Sequence, residues 1–293
     1  MRRRALPPDS ALVVVEGVTD KRALFPFVSS TCFVVPAAGK DRLITAFESL
    51  DKDLLDKTLF ILDCDGSTPQ RLKGRSGLIL TVNRDLEADL LFELQSLNRI
   101  VADYFADSAP TPSSVSSILE EIQKEVAEVT QSFGMLRKVA GEAGFRVRVK
   151  DTGRRNSRKI RLYDLGAVES KIGSGAQIPL AVILDEMSSR LGWNNDQKSD
   201  IASRCKALSR IECRHHGESA CKPCGFRKYC NGHDIVDALA ICLSRRLKKA
   251  VRAEDIDRML RMSSSERFLP SWEVYRRVRN WESDSSLNVF SVS

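Results

Sequence analysis

The chain has 293 residues, 42% of them hydrophobic, with a formal net charge of +7 and a pI near 9.0. That length and apolar content suffice for one elaborated domain or two modest ones, and the excess of lysine and arginine suits a polyanionic partner, whose neutralised phosphates release counterions. No run approaches the roughly 20 consecutive apolar residues of a membrane span, and Met1 to Pro8 lacks the apolar stretch of a signal peptide, so a cytoplasmic protein without membrane contact is expected.

Leu12 to Val15 is a short continuous apolar run, the pattern of a strand buried on both faces of a parallel sheet, and Thr19 to Val28 then reads as a helix. A second cycle follows, with a strand at Cys32 to Val35, a turn at Gly39-Lys40, a helix over Arg42 to Leu50 and a buried strand at Leu59 to Leu62. Leu78 to Val82 supplies a fourth strand and Asp85 to Asn98 another helix. This alternation predicts an α/β domain with a mainly parallel sheet flanked by helices.

After the linker-like Ala109 to Ser114, apolar residues at Ile118, Leu119, Ile122, Val126 and Val129 predict an amphipathic helix over Val115 to Ala140. Phe145 to Val149 alternates apolar and basic residues as a half-exposed strand does. Helices are expected at Pro179 to Leu191, Asp196 to Leu208, Asp234 to Lys248, Ala253 to Met262 and Ser271 to Trp281, and the Ser-rich tail past Ser283 reads as disordered.

Glu16 and Gly17 follow the first strand directly, and Asp63 and Asp65 follow the third. In an open α/β sheet the functional crevice lies beyond the carboxyl ends of the strands, so these groups are expected to converge. Two aspartates spaced Asp-x-Asp on an extended segment point the same way and repel unless a cation lies between them. Oxygen ligands of this kind suit Mg²⁺ or Mn²⁺, which keep several waters and take substrate phosphate oxygens as further ligands. Asp20, one helical turn beyond Glu16, and the pair Asp85 and Glu87 are candidates for a second metal, although acidic residues also favour helix starts through capping and the macrodipole.

Glu16-Gly17 with Asp20, and Asp63 with Asp65-Gly66, resemble the signature of the topoisomerase-primase (Toprim) domain. Gly39-Lys40, Asp85-Leu86-Glu87 and Gly232-His233-Asp234 extend the resemblance to the DUF4435 group of bacterial Toprim-like proteins, related to the overcoming-lysogenization-defect (OLD) nucleases. The likeness covers the first ninety or so residues well and the C-terminal third loosely. With the change of character after Ala109 to Ser114, three segments are expected: a Toprim-like catalytic domain over 1–108, a helical insertion with a basic hairpin over 109–210, and a mostly α-helical region with a cysteine cluster over 211–293. The resemblance implies a metal-dependent endonuclease acting on RNA or DNA, with Glu16 as general base or metal ligand and Asp63 and Asp65 as metal ligands. As an effector of bacterial anti-phage defence, such a protein would answer to an AAA or ABC-type ATPase partner, and this chain has no Gly-x-x-x-x-Gly-Lys-Ser/Thr loop of its own. A homo-oligomer is compatible with this reading. The alternatives are a primase or topoisomerase role and, from another class, a non-catalytic module that binds nucleic acid or protein.

Four of the eight cysteines, Cys213, Cys221, Cys224 and Cys230, are spaced by seven, two and five residues. Such a set can close a tetrahedral thiolate site, most commonly for Zn²⁺; the alternative is a four-iron cluster, whose segments the stretch from Cys221 to Cys230 also resembles. His233, just beyond, reads as part of a turn into a helix with Asp234 near its cap. From Arg146 to Arg161 eight basic residues face one acid, Asp151. Arg146, Arg148, Arg154 and Arg155 are thus candidates to track a phosphate backbone, with Lys40 as a further phosphate contact; solvated surface charge is the alternative for each. Trp272, Tyr275 and Trp281 either stack on bases or pack into a core.

Overall fold

A computed structural model describes residues 7, 9–64, 68–107, 112–145, 147–150, 157–172, 178–209, 229–263 and 266–291. The chain divides into two compact units, Met1–Leu97 with Leu260–Ser293, and Asn98–Met259. The last stretch of sequence therefore belongs to the first unit.

The first unit is built on a four-stranded sheet of β1 (Ala11–Val15), β2 (Cys32–Pro36), β3 (Thr58–Leu62) and β4 (Leu78–Leu80), ordered β2-β1-β3-β4 with every pairing parallel. The α/β class with a mainly parallel sheet is thus the class observed. Helices α1 (Val18–Leu24), α2 (Lys40–Ser49), α3 (Lys52–Leu55) and α4 (Leu86–Phe92) connect the strands or follow them. All five residues of β3 are buried, because both faces of this central strand are covered. On one face Val14, Phe60 and Leu62 pack with Leu43 and Phe47 of α2, where the Phe47 and Phe60 rings meet edge-on at 5.2 Å. At the edge of the sheet β2 buries only Val34 and exposes Phe33 and Val35.

The stretch Asp85 to Asn98 is two helices rather than one: α4 ends at Phe92 and α5 (Ser96–Phe105) begins after Gln95, whose φ of 55° interrupts the helix. The end of the chain also differs from the expectation of disorder. Beyond the helix at Glu273–Ser285, Val289 and Phe290 are buried, and both donate their backbone N–H to Glu282 Oε1, the latter at 2.8 Å. Phe290 forms a β-bridge with Val28 and stacks on Tyr275 at 5.1 Å. Apolar residues in that Ser-rich tail, hidden by its composition, hold it against the sheet unit.

The second unit is centred on α6 (Pro112–Glu142), a helix of 31 residues. Its buried stripe, Ile122, Val126, Val129, Phe133, Leu136 and Ala140, repeats at alternating intervals of four and three, the spacing of one helical face. Against it pack α8 (Leu180–Leu191) and α9 (Asn195–Ser209), preceded by α7 (Gly166–Lys171), and then α10 (Gly232–Leu247), ahead of α11 (Ala253–Ser263). The helix at Glu273–Ser285, in the first unit, is α12. A hairpin of β5 (Arg148–Lys150) and β6 (Ser157–Lys159) completes the second unit, and among the described residues no helix is long and apolar enough to cross a membrane.

Gly134 shows why α6 carries a glycine in mid-helix. A Cβ there would lie 2.1 Å from the carbonyl oxygen of Tyr229, so only glycine admits the chain at that point. Gly134→Ala is expected to destabilise the protein by about 1–3 kcal/mol through overpacking, against the gain of about 1 kcal/mol that alanine brings at an open helix position. Urea unfolding distinguishes the two signs, and a more stable alanine variant would rule out this close approach.

Candidate active site

The sheet order places the functional edge. The chain leaves β1 to one side to form β2, then returns to the other side of β1 to form β3, so the direction of winding reverses between β1 and β3. At such a switch point the loops from neighbouring strands part and leave a crevice at the carboxyl edge. Val15 pairs with Ile61, which brings Glu16 and Asp63, the residues just beyond, to this place.

These two are joined directly. The backbone N–H of Asp63 donates to Glu16 Oε1 at 2.9 Å, and Lys40, at the start of α2, donates from Nζ to the Asp63 carbonyl at 2.9 Å while lying 3.6 Å from Glu16 Oε1. Lys40 is therefore held inside the site by two partners. Asp20 is buried in the first turn of α1 and accepts the N–H of Gly17 on Oδ2 at 2.7 Å, which fixes the turn after Glu16. Asp85 caps α4, taking the N–H of Ala88 on Oδ1 at 2.8 Å. Glu87, one residue into that helix, is buried.

Electrostatics ties four of these groups together. Burial, then repulsion from Asp85, Glu16 and Asp20, pushes Asp63 up to about 10, and Lys40 offsets only part of this. A carboxyl so placed takes up a proton unless another cation neutralises the cluster. The donors are oxygen throughout, which fits a hard divalent ion such as Mg²⁺ or Mn²⁺ and not a soft one. Among the described residues no three His, Cys, Asp or Glu side chains close into a ligand cluster. Asp65, expected as a principal ligand, lies with Gly66 outside the described residues.

One residue of this edge escapes sequence reasoning. Asp89 is fully buried and accepts four hydrogen bonds: from the N–H of Val82 (3.1 Å) and of Asn83 (2.6 Å), from Asn83 Nδ2 (2.8 Å) and from Trp272 Nε1 (2.9 Å). Burial raises it to about 6, and these donors limit the rise. It thereby pins the turn that delivers Asp85. Thr81 extends the brace, accepting the N–H of Cys64 at 2.9 Å and donating to the Asn83 carbonyl at 2.7 Å, so the segments after β3 and β4 are tied to each other. An acid inside the run Ala88-Asp89-Leu90-Leu91 is the one signal the sequence offers. Trp272 is fully buried as a core residue and is not a stacking surface.

The other expected residues fall elsewhere. Cys230 is buried beside Thr130, with its Sγ–H donating to Oγ1 at 3.3 Å, while Cys213, Cys221 and Cys224 lie outside the described residues. His233 is exposed, and the helix it opens is capped by Asn231, whose Oδ1 accepts the N–H of Asp234 at 3.0 Å. Asp234 instead makes a buried ion pair with Arg137 of α6 at 2.9 Å. Arg148 is exposed and stands opposite Lys159 in the hairpin; Arg146, Arg154 and Arg155 lie outside the described residues. A cavity of about 600 Å³ opens at the amino edge of the sheet, against Asp9, Lys57 and Gly77, away from the carboxylates.

The fold and site together define an α/β protein with an acidic group of residues beside Lys40 at the switch point of a parallel sheet. No family model, no curated protein and no solved structure matches the chain.

Proposed function

We propose that the chain is a Toprim-type endonuclease of the DUF4435 group, hydrolysing phosphodiester bonds of RNA or DNA with Mg²⁺ or Mn²⁺, and an effector of anti-phage defence under an ATPase partner. The observation that carries this reading is the bond from the Asp63 N–H to Glu16 Oε1 at 2.9 Å beside Lys40, which joins two of the signature acids at the carboxyl edge of the sheet, where burial and the charges of Asp85, Glu16 and Asp20 raise Asp63. Self-repulsion of this kind destabilises a fold and is retained where a cation resolves it.

Glu16, Asp63 and Asp65 would hold a divalent ion, with Asp20, Asp85 and Glu87 available to a second, and bound there the metal would stabilise charge on the phosphoryl oxygens and lower the pKa of water. Glu16 is oriented by the Asp63 N–H and lies beside Lys40, which sets its carboxylate to accept a proton from the attacking water. Lys40 adds a fixed positive charge for the scissile phosphate. The same proposal assigns Zn²⁺, or a four-iron cluster, to Cys213, Cys221, Cys224 and Cys230, a colourless zinc-bearing preparation separating the first from the second.

The test uses end-labelled single- and double-stranded DNA and tRNA, with and without Mg²⁺ or Mn²⁺ and with the candidate ATPase. Metal-dependent cleavage is expected, reduced roughly 100- to 1000-fold in Glu16→Ala. Cleavage that survives this substitution unchanged would remove Glu16 from the mechanism, and none under any condition would overturn the nuclease reading.

A further inference from the structure

The unit formed by Asn98–Met259 contains a cavity of about 410 Å³ built around an exposed aromatic ring. We propose that it binds a nucleoside phosphate, free or as one nucleotide of a single strand, with Tyr163 as the surface on which the base stacks. The volume falls in the range of small-molecule sites, about 300–1,000 Å³.

The ring is presented by a rigid support. Tyr163 is 45% exposed, yet its neighbours Ile160, Leu162 and Leu165 are all fully buried, so the short 3-10 turn Leu162–Asp164 is anchored on both sides. The backbone N–H of Arg161 donates to Asp164 Oδ2 at 2.7 Å and closes that turn. The Arg161 guanidinium lies over the Tyr163 ring, 5.1 Å from its centroid, and is itself fixed by donating to Asp237 of α10, from Nε to Oδ2 at 3.0 Å and from Nη2 to Oδ1 at 2.6 Å. Asp237 is buried and Arg161 satisfies its charge, so this pair positions the ring. An aromatic with few rotatable bonds, already held, loses little entropy when a base stacks on it.

The remaining wall supplies what a nucleotide requires. Arg245 is held by the Glu169 carbonyl through Nη2 at 2.5 Å, and the loop carrying Arg252 is fixed by reciprocal bonds between Ser244 and Val251, with Oγ to carbonyl at 3.1 Å and N–H to Oγ at 2.9 Å. These two guanidiniums suit a phosphate. The carboxylates of Glu169 and Glu254, also on the wall, suit the amino and imino donors of a base edge. Single-stranded nucleic acid presents a splayed base together with its phosphate, whereas a duplex hides the base face.

Binding is measured on the full chain in EDTA, so the outcome is independent of the carboxylate site and of any cleavage. The probes are a short fluorescein-labelled single strand, its duplex, and unlabelled 5′-mononucleotides as competitors, read by fluorescence anisotropy. The strand should bind more tightly than the duplex, with Tyr163→Ala weakening it about 5- to 100-fold and Tyr163→Phe retaining the wild-type affinity. Competition by mononucleotides assigns the site to free nucleotide, and strand binding without competition assigns it to the strand. The proposal is overturned if Tyr163→Ala binds as the wild type does, if Tyr163→Phe loses as much as Tyr163→Ala, or if no probe binds by about 1 mM.

Discussion

Asp63→Asn is expected to make the metal-free protein more resistant to heat and, if the proposed function holds, to abolish metal-dependent cleavage. Asparagine keeps the size of the side chain and removes the charge that burial, Asp85, Glu16 and Asp20 all oppose. The sign follows from proton linkage. With a carboxyl raised from 3.8 to about 10, the folded state holds a proton that the unfolded state releases, so this group's contribution is full below about pH 4 and declines as pH rises towards 10. The asparagine variant has no such loss. Its advantage should grow between about pH 5 and about pH 8 by up to roughly 1.4 kcal/mol per pH unit, which over that range amounts to several degrees in Tm in a protein of this size. Scanning calorimetry in EDTA at both values gives the first half, and cleavage reduced about 1000-fold or more gives the second. An asparagine variant less stable than wild type at the higher pH would show that Asp63 is stabilised as an anion, and the electrostatic basis of the site would fall with it.

What the sequence makes legible here is the layer of the structure set by local pattern. Continuous apolar runs at Leu12 to Val15 and Leu59 to Leu62 give strands buried on both faces, and the first acid after each run lands at the sheet's carboxyl edge because parallel strands all end there. Lys40 is visible as a residue after Gly39, but its two partners become visible only when β3 is laid beside β1. Asp89 and Trp272 are 183 positions apart, and no period or spacing links them; their bond follows from the return of the chain's end to the first unit. Glu282 and Val289 misled in the opposite direction, since a short apolar segment among serines has the composition of a tail and gains its order from a single carboxylate that collects two backbone N–H groups.

The coupling of Asp63 to its neighbours also fixes how metal binding must depend on pH. A divalent ion that takes Asp63 as a ligand displaces the proton the carboxyl holds in its absence, so binding releases about one proton from this group throughout the range between the ordinary value of 3.8 and about 10. The apparent affinity for Mg²⁺ or Mn²⁺ should then rise about tenfold for each pH unit between roughly pH 5.5 and pH 8.5. Titration calorimetry in two buffers of different ionisation enthalpy reads the proton count directly. In Asp63→Asn the ion should bind more weakly and release no proton from this position, whereas Glu16→Gln should keep the release in part, because Asp85 and Asp20 still oppose the Asp63 charge. Wild-type binding with no proton released would place the ion away from Asp63. The same linkage gives the cation a structural effect: by relieving the repulsion among four acidic side chains, it should raise Tm more at high pH than at low pH, in the direction opposite to that of the metal-free protein.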